Sequence, residues 1–192
     1  MIKIGITGNI GSGKSVVTAL LSLRGIPIYS ADYAGNRLSS TSPVIREKLI
    51  ALFGDDIYVQ NLLDRKKLAS LAFSDDTILQ KVNEIIHPVV ENDFQTWLQG
   101  VKHTYCAIES AILIETGFDR LVDVTLMVFA PVEVRLRRVK QRDNMPEADI
   151  LQRMSHQMPD ELKRRHVDFV IINDDVQAVI PQVEAFIKSL SK

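Results

Sequence analysis

Ile2-Lys3-Ile4-Gly5-Ile6-Thr7-Gly8-Asn9-Ile10-Gly11-Ser12-Gly13-Lys14-Ser15 joins an apolar strand pattern directly to a complete G-x-x-x-x-G-K-[ST] element. The order has a physical meaning: a strand ends, the backbone wraps its N–H groups around an anion, and a helix follows whose N-terminus carries partial positive charge. Gly8, Gly11 and Gly13 allow the main chain to approach phosphate oxygens, Lys14 supplies a mobile ammonium for the β- and γ-phosphates, and the Ser15 hydroxyl is suited to ligate Mg²⁺. Asn9 is a residue type that tolerates left-handed backbone. A glycine turn that only joined strand to helix would leave the Lys14-Ser15 pair unexplained, so the element implies a bound nucleoside triphosphate. The helix expected next, 15–23, carries Val16, Val17, Ala19, Leu20 and Leu21 and stops before Gly25.

Outward from this anchor, short apolar runs at 2–6, 26–29, 105–108, 124–129 and 169–172 alternate with helical stretches. Such β-branched runs read as the strands of a five-stranded parallel sheet covered on both faces, an α/β three-layer sandwich. About 75 residues separate the second run from the third, far more than one crossover needs, and they hold helical patterns at 43–53, 65–73 and 76–98. A helical substrate-holding insertion is therefore expected over 59–103. The segment 131–166 follows the fourth strand, is rich in Arg and Lys, and is broken by Pro146 and Pro159, which suits a lid. The nucleotide-binding core is then 1–58, 104–130 and 167–192. No internal repeat or low-complexity tract interrupts the chain.

Composition narrows the partners. At 192 residues, 46% hydrophobic and 24% charged, the chain is ordinary globular material with length enough for a sizeable core. A net charge of −1 gives no overall field to attract nucleic acid or an anionic membrane, so anion binding must be local. No apolar stretch approaches the roughly 20 residues that span a bilayer. The lone Cys106, between Tyr105 and Ala107 in a strand pattern, reads as an inert core thiol of a reducing compartment. With a strand pattern in place of a leader at the N-terminus, the expected location is cytoplasmic.

The remaining polar residues must choose among GTPases, motor ATPases and small-molecule kinases. Asp32 follows the second strand in Ile28-Tyr29-Ser30-Ala31-Asp32, where an open α/β sheet holds its ligand, so it is a candidate base for an attacking hydroxyl; an N-cap for a helix over 33–38 is the competing reading. Glu109, ending the third strand, could hold Mg²⁺ through water or serve as a cap or ion-pair partner beside the loop. Glu115, six residues on, is a candidate substrate contact. Arg135, Arg138 and Arg142 stand at i, i+3 and i+7 and form one helical stripe, either a solvated flank beside Val132, Leu136 and Val139 or, after a phosphate loop, a phosphate-binding edge. His87 of His87-Pro88 is either structural or a pocket residue facing an anionic substrate. Phe94 and Trp97 are spaced to pack on a helix face. His87, His103, His156 and His166 lack the spacing of metal ligands.

Taken in order, these residues resemble the dephospho-CoA kinases over nearly the whole chain. The resemblance rests on Gly5-Ile6-Thr7-Gly8-Asn9-Ile10-Gly11-Ser12-Gly13-Lys14-Ser15, on Ser30-Ala31-Asp32 against an Asp-Ala-Asp, and on Ile86-His87-Pro88 against a His-Pro. It continues with Ile112-Leu113-Ile114-Glu115 against a Leu-Leu-Phe-Glu-like stretch, Arg138 with Arg142-Asp143, and Gln157 followed by Asp168-Phe169-Val170-Ile171-Ile172-Asn173. Only the phosphate loop is specific by itself; the order and spacing of the set carry the likeness.

The resemblance implies a P-loop kinase of three parts, nucleotide core, helical CoA-binding insertion and lid, that uses ATP and Mg²⁺ to phosphorylate the ribose 3′-hydroxyl of dephospho-CoA. It implies Asp32 as catalytic base and substrate contact, Asn9, Ile10, Gly11, Ser12, Gly13, Lys14, Ser15 and Val16 around the nucleotide, and Ser15 with Glu109 toward the metal. Arg138 and Arg142 would close from the lid beside Lys14, Asn173 would lie near adenine, and His87 and Glu115 would meet the acceptor. The chain departs from the family pattern at Asn9 for a glycine, Ser30 for the first Asp, Glu109-Ser110-Ala111 for Asp-x-Pro, and Asp174-Asp175 where glycine is frequent. The rival readings are a kinase of a nucleoside monophosphate or other small metabolite, and a GTPase-like switch, whose guanine-reading Asn-Lys-x-Asp run the sequence lacks.

Overall fold

The computed structural model describes residues 1–73 and 76–190; residues 74, 75, 191 and 192, which fall in the expected insertion and core, lie outside the described residues. The chain divides into two compact units, 1–30 with 101–192 and, separately, 31–100.

The first unit is built on a parallel sheet. Its strands are β1 (Ile2–Thr7), β2 (Ile28–Ser30), then, beyond the second unit, β5 (Tyr105–Glu109), β6 (Val124–Phe129) and β7 (Phe169–Ile172). They lie in the order β2-β5-β1-β6-β7, all parallel. The five expected strands are all present, each within two residues of its expected ends. Ile4, Ile6, Ala107, Leu126, Val128 and Ile171 turn to one face and pack on Val17 and Leu21 of α1 (Lys14–Leu23) and Val183 and Phe186 of α9 (Val179–Ser189). Between Ile4 and Ile6, Gly5 faces the opposite layer, where a Cβ would meet Leu113 at 2.7 Å and Val122 at 2.9 Å. Strand alternation thus explains why a glycine interrupts an otherwise branched run. Because the chain leaves β1 toward β2 and later leaves β5 for the other side of β1, the switch in strand order opens a crevice at the carboxyl end of β1. The phosphate loop occupies that end.

α6 (Val132–Asp143), α7 (Glu147–Ser155) and the short α8 (Asp160–Arg164) fill the segment expected as a lid and belong to the same compact unit as the sheet. Asn144 ends α6 in left-handed backbone, φ 48°, a conformation Asn adopts readily.

The second unit is helical: α2 (Ala31–Thr41), α3 (Pro43–Phe53), α4 (Arg65–Phe73) and the long α5 (Asp76–Gly100). Ser42 caps α3 through its hydroxyl, with Pro43 at the first turn. A two-residue ladder of β3 (Tyr58–Val59) and β4 (Leu62–Leu63) turns through Gln60 and Asn61, both at positive φ. The unit begins at Ala31 and not at residue 59, because α2 and α3 pack on α5, with Leu38, Ile45, Leu49, Val90 and Phe94 buried. The insertion is thus longer at its front edge than the expected 59–103. Phe94 and Trp97 stack on each other, ring centres 5.9 Å apart, as their helical spacing predicts.

Candidate active site

β1 stops at Thr7 and α1 starts at Lys14, leaving residues 8–13 as the loop. Gly13 caps α1 with left-handed backbone, φ 90° and ψ 29°. Gly11 has φ 80°, and a Cβ there would come 2.6 Å from the Arg135 carbonyl oxygen of α6. Conformation and crowding both demand glycine at that position.

The loop's lysine is already folded into it. Lys14 Nζ donates to the Gly8 carbonyl at 2.8 Å and lies 3.8 Å from Glu109 Oε1, both side chains being largely buried. Glu109 ends β5 in register with Ile6 of β1 and Ser30 of β2, and its Oε2 accepts the Ser30 hydroxyl at 3.1 Å. Parallel pairing therefore delivers a carboxylate to the strand ends beside the ammonium. Ser15 sits exposed in the first turn of α1. Among the described residues, no group of three or more His, Cys, Asp or Glu is placed to hold a metal ion.

The arginine stripe of α6 divides. Arg135 is buried and turns its Nε to the Ala130 carbonyl at 3.0 Å and its Nη2 to Asp160 Oδ2 at 2.7 Å. Arg138 reaches the phosphate loop, its Nη1 donating to the Gly11 and Ser12 carbonyls at 3.3 Å each. Its Nη2 meets Asn173 Oδ1 at 3.2 Å and pairs with Asp175, whose carboxyl Arg138 and Arg137 hold below its ordinary range. Arg142 is not brought to the loop: it lies near the end of α6, exposed, with its Nε and Nη2 on the adjacent Asp143 carboxylate at 2.7 and 2.8 Å. Four residues further along a helix is about 6 Å of travel away from the contact that Arg138 makes.

Asn173 follows β7, which is anchored where its N–H donates to Phe129 O at 2.8 Å. Its side chain braces the loop, Nδ2 donating to the Ser12 carbonyl at 2.8 Å while Oδ1 accepts from Arg138. Asn9 and Ile10 are held on the other flank. Ile10 N–H donates to Gln157 Oε1 at 2.8 Å, and Asn9 Nδ2 donates to Met158 O at 3.0 Å and to Asp160 Oδ1 at 2.9 Å. Glu115 serves the same region, taking the Met158 N–H at 2.9 Å and the ammonium of the fully buried Lys163 at 3.0 Å. Lys163 also donates to Ala111 O at 2.7 Å, and burial pushes its ammonium down in pKa against the opposing pull of Glu115. Burial pushes the Asp160 carboxyl up, with Arg135 the chief opposing influence. Asp160 and Lys163 carried no signal in the sequence, since Asp160's partners lie 25 and 151 positions away.

In the helical unit, α2 begins at Ala31, so Asp32 lies inside the first turn and does not cap a helix that starts at Tyr33. A carboxylate there is favoured by the positive end of the helix. His87 stands on α5 before Pro88, half-buried, and burial pushes its imidazole below the ordinary 6.5.

Comparison with known proteins identifies the family. The family model for dephospho-CoA kinase matches residues 2–178. A dephospho-CoA kinase of Bacteroides fragilis is 45% identical over 186 residues, covering 95% of this chain and 89% of that protein. One from Porphyromonas gingivalis is 41% identical over 191 residues, covering 99% and 95%. A solved structure from Thermus thermophilus superposes with a TM-score of 0.85 at 35% identity, covering 99% of this chain and 96% of the other. With a phosphate loop braced by Arg138 and Asn173, and a match that runs almost from end to end, this chain belongs to the dephospho-CoA kinase family.

Proposed function

We propose a division of labour for the activity that family membership carries, the ATP-dependent phosphorylation of dephospho-CoA to coenzyme A. The observation that carries it is the Gly8–Ser15 loop with Lys14 held between the Gly8 carbonyl and Glu109. The N–H groups from Asn9 through Val16 cradle the triphosphate, and Lys14 leaves its resting partners to neutralise charge on the β- and γ-phosphates. Arg138, whose guanidinium spans the Gly11 and Ser12 carbonyls and Asn173, stabilises charge as the phosphoryl group moves. Asn173 fixes the loop's far side, at the edge where adenine would rest. Arg142 acts only if the outer half of α6 swings inward.

Asp32 takes the proton of the ribose 3′-hydroxyl, and His87 contributes to holding the acceptor. Glu115, whose carboxylate is committed to Met158 and Lys163, supports the site from behind. A hydroxyl from Ser15 and the Glu109 carboxylate suit Mg²⁺, a hard ion that keeps most of its waters and enters with phosphate oxygens. Bound there, it would offset charge between the β- and γ-phosphates. Segment 131–166 is the lid in this reading and 31–100 the acceptor-binding part. No helix among the described residues is long and apolar enough to cross a membrane. The buried free Cys106 and the net charge of −1 support a cytoplasmic enzyme without nucleic-acid or membrane partners.

A coupled assay of ATP consumption with dephospho-CoA, a nucleoside monophosphate and a deoxynucleoside as acceptors tests the reading. Dephospho-CoA is expected to give the highest kcat/KM, with phosphate placed on the 3′-oxygen. Faster consumption with another acceptor overturns it.

A further inference from the structure

Both carboxylate oxygens of Asp160 are spoken for, and by different parts of the catalytic unit. Oδ1 accepts Asn9 Nδ2 at 2.9 Å, at the front of the phosphate loop, while Oδ2 accepts Arg135 Nη2 at 2.7 Å, on α6. Asn9 cannot turn its amide over, because its Nδ2 faces two acceptors, Asp160 Oδ1 and the Met158 carbonyl at 3.0 Å. Its Oδ1 is thereby driven inward, where it is buried with no partner, as is Ser12 Oγ in the same loop. Asn9 is 4% exposed and Arg135 also 4%, so neither tie is exchanged for water. One residue after Asn9, the Ile10 N–H is taken by Gln157. The segment 157–160 thus fixes two successive residues of the loop.

We propose that Asp160 is a positioning residue for the donor nucleotide: by joining Asn9 to Arg135 it sets the front of the phosphate loop against α6, and with it the loop's fit to the triphosphate. The inference rests on the reading that this loop binds ATP. Asp160 touches neither substrate; it acts through Asn9. The contact depends on the Asn9 side chain, since a glycine at that position would have no side-chain amide to offer.

The test is a cycle of Asp160→Asn, Asn9→Gly and the double variant, read by ATP titration and by steady-state kinetics with both substrates. Asparagine at 160 keeps the volume but presents its NH₂ to a donor, so one of the two ties must fail. Each single variant is expected to raise Kd and KM for ATP by about tenfold, with KM for dephospho-CoA changed less than about twofold. The double variant is expected to be no worse than the weaker single. Unchanged ATP affinity in either folded single variant, or effects that multiply in the double, overturns the proposal. Should Asp160→Asn fail to fold, Asn9→Gly leaves the Arg135 tie intact and still decides the matter by its ATP affinity. A wild-type protein that binds ATP but does not phosphorylate dephospho-CoA would instead count against the functional reading, which the titration keeps separate.

Discussion

The two compact units handle charge in opposite ways. In the sheet unit, Lys14, Arg135, Arg138 and Lys163 are drawn inward and each meets carbonyls or carboxylates around the phosphate loop. In the helical unit the ion pairs Arg37–Asp93 and Lys67–Asp56 lie on the surface, and the interior is apolar around Leu49, Val90 and Phe94. Exposed pairs of the second kind contribute little to stability, whereas removing one partner of a buried pair leaves a charge stranded. On the proposed division of labour, residues of the sheet unit are therefore expected to couple activity to loop order, while those of the helical unit should be separable from the fold.

The largest effect comes from Lys14→Ala. It removes the ammonium and none of the apolar core, so turnover should fall by more than about 10³-fold; the largely buried Glu109 loses its ion pair with Lys14, so the thermal midpoint should drop as well. Near wild-type turnover would break the donor-side assignment. Next in size is Asp32→Asn, which keeps shape and most hydrogen bonding but cannot accept a proton. Turnover should fall by roughly 10²–10⁴-fold with ATP affinity and stability retained. Full activity in this variant would move the base to Glu109.

Within the sheet unit, the two ends of α6 sharpen the contrast further. Arg138→Ala is expected to lower kcat by on the order of 10²-fold with a smaller effect on KM for dephospho-CoA, and Arg142→Ala by less than about tenfold. Arg137→Ala, on exposed surface, should leave kcat unchanged. Equal losses at 138 and 142 would show that the outer turn reaches the phosphates in the loaded enzyme.

The smallest effect concerns His87. Burial holds its pKa below 6.5, so the folded unit keeps the imidazole neutral where the unfolded chain takes a proton. Its contribution to stability is then full above 6.5 and is lost as pH falls from there toward the folded value. Thermal unfolding followed from about pH 7.5 to about pH 5.5 should show a gentler acid-side decline in His87→Gln. An identical slope in the variant would place His87 in a solvated setting.

What could be read from the sequence was what is written locally. The loop needs its glycines, Lys14 and Ser15 in fixed order, the sheet needs its branched runs, and α3 and α4 came out at their expected bounds because Pro43 and the apolar spacing mark them. The β3–β4 ladder escaped because Gln60 and Asn61 are not a strong turn pair. Its strands are two residues long, too short for alternation to register. The front edge of the helical unit escaped because α2 follows β2 without a linker, Ser30 ending the strand and Ala31 opening the helix. The different fates of Arg135, Arg138 and Arg142 were closed to pattern reading. Their i, i+3, i+7 stripe is uniform, and only the position of the phosphate loop and of Asp160 distinguishes them.

Gly11 carries a consequence for sequence variation. Its α-carbon faces the Arg135 carbonyl so closely that any side chain would intrude on the helix backbone, quite apart from the nucleotide. In a saturation library, position 11 should be depleted of every alternative even under a screen that asks only for soluble expression. Position 15, exposed in the first turn of α1, should be depleted only when the screen demands catalysis. Two neighbours in one motif would then be retained by different pressures.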